Sequence, residues 1–132
     1  MEKDMVGTYG EYFTVTRLLS WGYPATVVPG PFKYDVVVDI DGTPLRIQVK
    51  STGKIQKSRT GNDVFRFECR TRAKSYKEKD YDIMACVAVP NYRILFLPNG
   101  SRKALERKVE TFNKEQERNS WDSCLKSLGL IK

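Results

Sequence analysis

Seven consecutive residues, Ile83-Met84-Ala85-Cys86-Val87-Ala88-Val89, carry no polar side chain, and Asp82 and Pro90 close the run. A half-exposed strand or an amphipathic helix would break such a run with polar residues. The segment is therefore expected to be a central strand buried on both faces. Arg93 to Leu97 reads as the strand paired with it across Pro90-Asn91-Tyr92.

The remaining elements can be placed around that strand. Asp4 reads as the cap of a helix running to about Trp21 and stopped by Gly22, with Pro24 beyond. On that helix Met5, Tyr9, Tyr12, Val15, Thr16, Leu18 and Leu19 share about half the circumference, the arc expected to face the core. Glu11 falls inside the same arc. An acid there is costly unless a cation meets it. Strands are expected near Ala25 to Val28, over Tyr34 to Ile40, and from Leu45 to about Ile55, with Asp41-Gly42 as a hairpin turn. Phe65, Phe67 and Cys69 alternate with Arg66, Glu68 and Arg70, a strand with one basic face, after the turn at Arg59-Thr60-Gly61-Asn62-Asp63. Ser101 is expected to cap a charged helix to about Arg118, and Ser120 a final short one carrying Trp121, Leu125 and Leu128. The order predicts an α/β sandwich with a mixed sheet, in one domain over residues 1–132, without a dinucleotide-type glycine loop.

The count that excludes most chemistry is histidine, which is 0. Ser-His and Cys-His nucleophile pairs and His-ligated zinc hydrolases are ruled out, leaving carboxylates, lysine and a hard metal. Cys69, Cys86 and Cys124 are odd in number and far apart, so they suggest neither a disulfide framework nor a zinc site but buried small hydrophobes. No run of about 18 apolar residues occurs, and the amino terminus is acidic where a signal peptide would be basic. A soluble cytoplasmic protein with no membrane association is expected.

The net charge of +7 is concentrated in one segment. Between Lys50 and Lys79 ten Lys and Arg residues stand against three acids, an excess equal to that of the whole chain. Such a segment is the electrostatic footprint of a surface that follows phosphates; the plainer reading is a solvated charged face.

If Asp41 and Gly42 form a two-residue loop, residues whose numbers sum to 83 face each other, and Asp35 lies opposite Gln48. Strand alternation places Gln48 and Lys50 on the same face as Asp35. Pro44 bears on this register, because it cannot donate to a ladder and a three-residue loop would shift the pairing by one. Asp35, the Gln48 carbonyl oxygen and Glu11 are suitable ligands for a hard cation such as Mg²⁺ in phosphodiester hydrolysis. Lys50 beside them would orient water or stabilise transition-state charge. Singly, each has a plainer reading: Asp35 a strand-start cap, Gln48 a cross-strand polar partner, Lys50 a strand-end cation. Their convergence beside the basic segment gives the chemical reading its weight.

Glu11, then Tyr34-Asp35, then Gln48-Val49-Lys50 resembles the PD-(D/E)XK nuclease superfamily, and more narrowly the small bacterial group I intron-encoded homing endonucleases, which likewise carry Gln in this position. The resemblance runs from Gly7 to the strand after Tyr81-Asp82. It implies a restriction-endonuclease-like core, a mixed central sheet flanked by helices, with Glu11, Asp35, Gln48 and Lys50 catalytic. Asp35, Gln48 and Glu11 would hold Mg²⁺, with Mn²⁺ as an expected substitute. It further implies cleavage of double-stranded DNA by a homodimer or homotetramer, with Lys54, Lys57, Arg59, Arg66 and Arg70 as expected DNA contacts. Tyr34 replaces the usual proline, and Gln48 replaces the usual acid, which removes one negative charge from the cation site. The alternatives are a Holliday junction resolvase, which usually carries an acid at the Gln48 position, and a DNA-binding module on the same fold without cleavage.

Overall fold

All six residues of 83–88 have 0% exposure, and their side chains divide between two cores. Ile83, Ala85 and Val87 enter one; Met84, Cys86 and Ala88 enter the other. The computed structural model describes residues 1–71, 74–75, 80–100 and 102–132, with the side chains of 70, 71, 74 and 75 outside that description.

In chain order the elements are helix α1 (Lys3–Ser20), strands β1 (Ala25–Val27), β2 (Val36–Ile40), β3 (Thr43–Thr52), β4 (Gln56–Lys57), β5 (Asp63–Glu68), β6 (Arg70–Thr71), β7 (Lys74–Ser75), β8 (Ile83–Ala88), β9 (Arg93–Pro98) and β10 (Ala104–Lys108), and helix α2 (Lys114–Ser127). A mixed five-stranded sheet has the order β1-β2-β3-β8-β9, with β3 and β8 parallel and the other pairs antiparallel. On one face lie α1 and α2, whose Leu18, Trp121, Cys124 and Leu125 pack on Val36, Val38, Ile47 and Val49. On the other lies a three-stranded antiparallel sheet, β10-β5-β4, whose Phe65, Phe67 and Leu105 pack with Phe112 on Met84, Cys86 and Leu95. The α/β core with a mixed central sheet is as expected. All three cysteines are free and buried, as expected of small hydrophobes. Among the described residues no helix is long and apolar enough to cross a membrane.

The hairpin register is the one the two-residue loop requires: Ile40 faces Thr43 and Val36 faces Ile47. Asp41 and Gly42 take φ of 49° and 89°, the left-handed pair of a type I′ turn. Pro44 sits in the ladder opposite Asp39 without shifting it. By alternation its nitrogen points the same way as that of Arg46, toward β8, but β8 has not yet begun at that level, so no ladder bond is forfeited.

Three expectations are corrected. The N-cap of α1 is Glu2, without a side-chain cap bond, and Asp4 lies in the first turn. The buried line of α1 is Val6, Gly10, Thr14 and Leu18, whereas Met5, Tyr12 and Leu19 are exposed. Hydrophobic size misassigned this face because close approach to β3 is made by small residues. A Cβ on Gly10 would overlap Ser51 Oγ and lie 3.6 Å from Val49 Cγ1. Finally, the expected helix from Ser101 to Arg118 is instead β10, a 3-10 turn over Val109–Thr111, and α2 from Lys114. Ser101 itself lies outside the described residues. Residues 104–108 pair with β5, a long-range partner that overrides their helical propensity. The Asn113 side chain caps α2 by accepting from Gln116 N at 2.9 Å, so Ser120 is internal to the helix and caps nothing.

The last helix also closes the sheet. β9 is an edge strand whose outward N–H groups at Ile94 and Phe96 donate to Glu117 Oε2 at 2.8 Å and Ser120 Oγ at 2.9 Å.

Candidate active site

The chemistry-bearing residues meet where β2 stops and β3 continues. The last ladder partners are Val36 and Ile47, yet β3 runs on to Thr52, so its next backbone groups on that side have no neighbouring strand. Asp35 turns its carboxylate into this gap. Its Oδ2 accepts from Val49 N at 2.8 Å and from Gln48 Nε2 at 2.9 Å. The strand-start and cross-strand readings of Asp35 and Gln48 are thus both true, and they aim the acid. Asp35 Oδ1 has no hydrogen bond among the described residues. The Val49 carbonyl points the same way as its N–H, toward Asp35, and meets Gln48 Nε2 only at 3.4 Å.

Glu11 is supplied by α1. Gly10 brings that helix against β3 at Val49 and Ser51, and Glu11, next in sequence, lies within electrostatic reach of Asp35. Both acids are pushed above their ordinary carboxylate values. For Glu11 burial is the larger cause and the charge of Asp35 the second. For Asp35 burial outweighs the lowering effects of the Val49 N–H and the Lys50 ammonium. The structure therefore brings Glu11, Asp35, Gln48 and Lys50 together. Half-buried Lys50 is near enough to stabilise the Asp35 anion, and its field also reaches Cys69 just beyond β5.

Two carboxyls that repel each other in a partly dehydrated gap are the donors a hard divalent cation suits. Among the described residues no cluster of three or more His, Cys, Asp or Glu occurs. The set here is two carboxylates and the Val49 carbonyl, and the Gln48 amide, which turns its Nε2 to Asp35, offers its oxygen to the same space once turned over about its last torsion. These donors fit Mg²⁺, with a lower ligand charge than a three-acid site would have. The pH consequence has a definite sign. Each carboxyl binds protons more tightly in the folded chain than in an unfolded one, so without a cation stability falls as pH rises from the ordinary values, 4.5 for Glu11 and 3.8 for Asp35, through the raised ones. A cation that binds the charged forms removes this penalty. Mg²⁺ should raise the thermal midpoint at about pH 8 and leave it unchanged at about pH 4. No effect at the higher pH, or the same effect at both, would separate these acids from a cation site.

The expected DNA contacts divide. Lys54 and Arg59 are exposed on the loops flanking β4. Lys57 is paired with Asp63 at 2.6 Å and Arg66 with Glu106 at 2.6 Å. Exposed pairs of this kind contribute about 0–1 kcal/mol, so a phosphate can compete for either cation. The Arg70 side chain lies outside the described residues. Reading residues 101–118 as helix concealed Lys108, which alternation places with Glu106 and Arg66 on the outer face of the small sheet. Two contributors to the site had no signal of their own in the sequence: the Val49 backbone, exposed only because β2 ends early, and Gly10, whose lack of a side chain admits α1.

No family model and no curated protein matches the chain. Two solved structures, each described as a nuclease, share the fold, which is the mixed-sheet α/β core that the resemblance implied. The structure is similar to that of a bacterial homing endonuclease, I-Ssp6803I, with a TM-score of 0.70 and 21% identity, covering 98% of this chain and 97% of that one. It is also similar to Hjc, a Holliday junction resolvase of the archaeal hyperthermophile Archaeoglobus fulgidus, with a TM-score of 0.50 and 18% identity over 80% of this chain and 86% of that one.

Proposed function

We propose that this chain is a Mg²⁺-dependent DNA endonuclease of the site-specific homing type, hydrolysing phosphodiester bonds with Glu11, Asp35, Gln48 and Lys50. The observation that carries this reading is the gap beside β3, where two pKa-raised acids, an amide and a lysine converge. Asp35, Glu11 and the Gln48 oxygen would hold the cation, which when bound lowers the pKa of a water and offsets phosphoryl charge. Mn²⁺ offers the same hard-oxygen chemistry. Lys50 acts as a fixed positive charge facing the phosphoryl oxygens, stabilising the charge that builds as water adds across the P–O bond. Its charge also holds Asp35 toward the anionic form that a cation needs. Residues 1–132 work as one domain, in the cytoplasm where DNA is reached.

Lys54, Lys57, Arg59, Arg66 and Arg70 are the proposed contacts to double-stranded DNA, with Lys108 added from the small sheet. A chain with one site cuts one strand, so double-strand cleavage requires a homodimer or homotetramer. Met5, Tyr12 and Leu19, spaced seven residues apart and exposed at 60%, 59% and 53%, offer an apolar seam along α1 for a second copy. Gln48, and likeness over nearly the whole of both chains, favour homing over junction resolution.

The test is cleavage of supercoiled plasmid, a randomised duplex library and synthetic four-way junctions, with Mg²⁺ or with EDTA. Mg²⁺-dependent cutting confined to a sequence subset of the library supports homing; preferential cutting of junctions supports resolution. DNA binding with no cutting of any substrate would overturn the enzymatic reading in favour of a binding module.

A further inference from the structure

Phe32 stands three residues before Asp35 and is 57% exposed, so its ring contributes little to the core. It is nevertheless held in place. Its centroid lies 5.4 Å from that of Tyr34, with the rings inclined at 28°. The Arg46 guanidinium lies 5.9 Å from the Tyr34 ring, and Arg46 is itself fixed by Asp82 through Nε at 3.3 Å and NH2 at 3.3 Å. Pro29 and Pro31 restrict the backbone leading into this array. Lys33, exposed beside it, is only 3.8 Å from Asp80, an outer-limit ion pair that leaves the ammonium available to an anion.

An aromatic face presented to water, ordered from behind and flanked by cations, is the combination that binds a nucleobase next to its phosphate. Three residues span at most about 11 Å, or about three base steps at a rise of 3.4 Å per step. We propose that Phe32 is a stacking platform for a nucleobase within about three nucleotides of the phosphate the site cuts, so that the protein favours DNA in which a base can leave the stack. This rests on the nuclease reading. The ring supplies position and substrate preference; it takes no part in bond breaking.

The experiment uses the full chain in EDTA, with labelled duplexes of about 30 base pairs, one perfectly paired and one carrying a central two-base bulge. Fluorescence anisotropy should show wild type preferring the bulged duplex. Phe32→Ala should weaken binding of the bulged duplex by about 5-fold or more and that of the paired duplex by less. Phe32→Trp should restore the preference, and its added emission should be quenched by the bulged duplex but not by inorganic polyphosphate. Equal affinities of wild type and Phe32→Ala for the bulged duplex would overturn the platform while leaving the nuclease reading intact. A change of subunit number in Phe32→Ala by sedimentation would assign the ring to a protein interface and overturn it too. Failure of wild type to bind the bulged duplex more tightly than the paired one would overturn the platform and leave the nuclease reading to its own cleavage test. Phe32 is exposed, so the variants should fold, and circular dichroism verifies it.

Discussion

Asp35→Asn should lower Mg²⁺-dependent cleavage by about a thousandfold without destabilising the fold, the scale expected when a group that holds charge at a phosphoryl centre is removed. The structure explains why the two effects separate. Asp35 Oδ2 accepts from Val49 N and Gln48 Nε2, and an asparagine oxygen can take the same two bonds in the same place. The atom that replaces Oδ1 is an NH₂ group, which cannot bind a cation. Because the aspartate carboxyl is pushed up by burial, its charged form is already disfavoured without metal, and the neutral amide should leave metal-free stability unchanged or raise it. Cleavage assays with thermal unfolding in EDTA check both halves. A variant that cuts within about tenfold of wild type would remove Asp35 from the cation site. One that is inactive only because it unfolds would show that the carboxylate is structural.

Glu117→Ala should produce the largest loss of stability, about 3–5 kcal/mol in urea unfolding. Glu117 is 2% exposed, yet it is an acid. Its Oε1 lies 3.2 Å from Arg17 Nε and 3.1 Å from Arg93 NH1, while Oε2 accepts from Ile94 N at 2.8 Å. Truncation would leave two half-buried guanidinium groups without a counter-charge and one buried amide without an acceptor. Glu117→Gln keeps an acceptor for Ile94 and should cost less than alanine. If alanine cost under about 1 kcal/mol, the three elements joined here, α1, α2 and β9, would be held by apolar packing alone.

The legible parts of the fold were those decided locally. Asp41-Gly42 sets its own turn type, and the turn sets the register that puts Asp35 beside Gln48. The 83–88 run needs both faces covered whatever surrounds it. Features that depend on distant partners were hidden. The buried face of α1 follows from the fit of Gly10 and Thr14 to β3, whereas the larger Met5, Tyr12 and Leu19 dominated the helical pattern and are exposed. Residues 104–108 look helical until β5 is available to pair with them. Glu117 reads as one charge on a solvated helix because both of its arginine partners belong to other elements. At the candidate site, the proximity of Asp35, Gln48 and Lys50 was legible from strand register, but the early end of β2, which opens the space they share, was not.

The capped edge at β9 bears on crowding. A polyanion gathers many copies of a basic protein along its length, and an open strand edge at such local concentration is a template for polymerisation. Here one end of the five-stranded sheet has its outward amides at Ile94 and Phe96 taken by α2, and the other ends in β1, only three residues long. Neither offers a long rail for a foreign strand, so the five-stranded sheet presents no template for strand-to-strand polymerisation even at high local concentration.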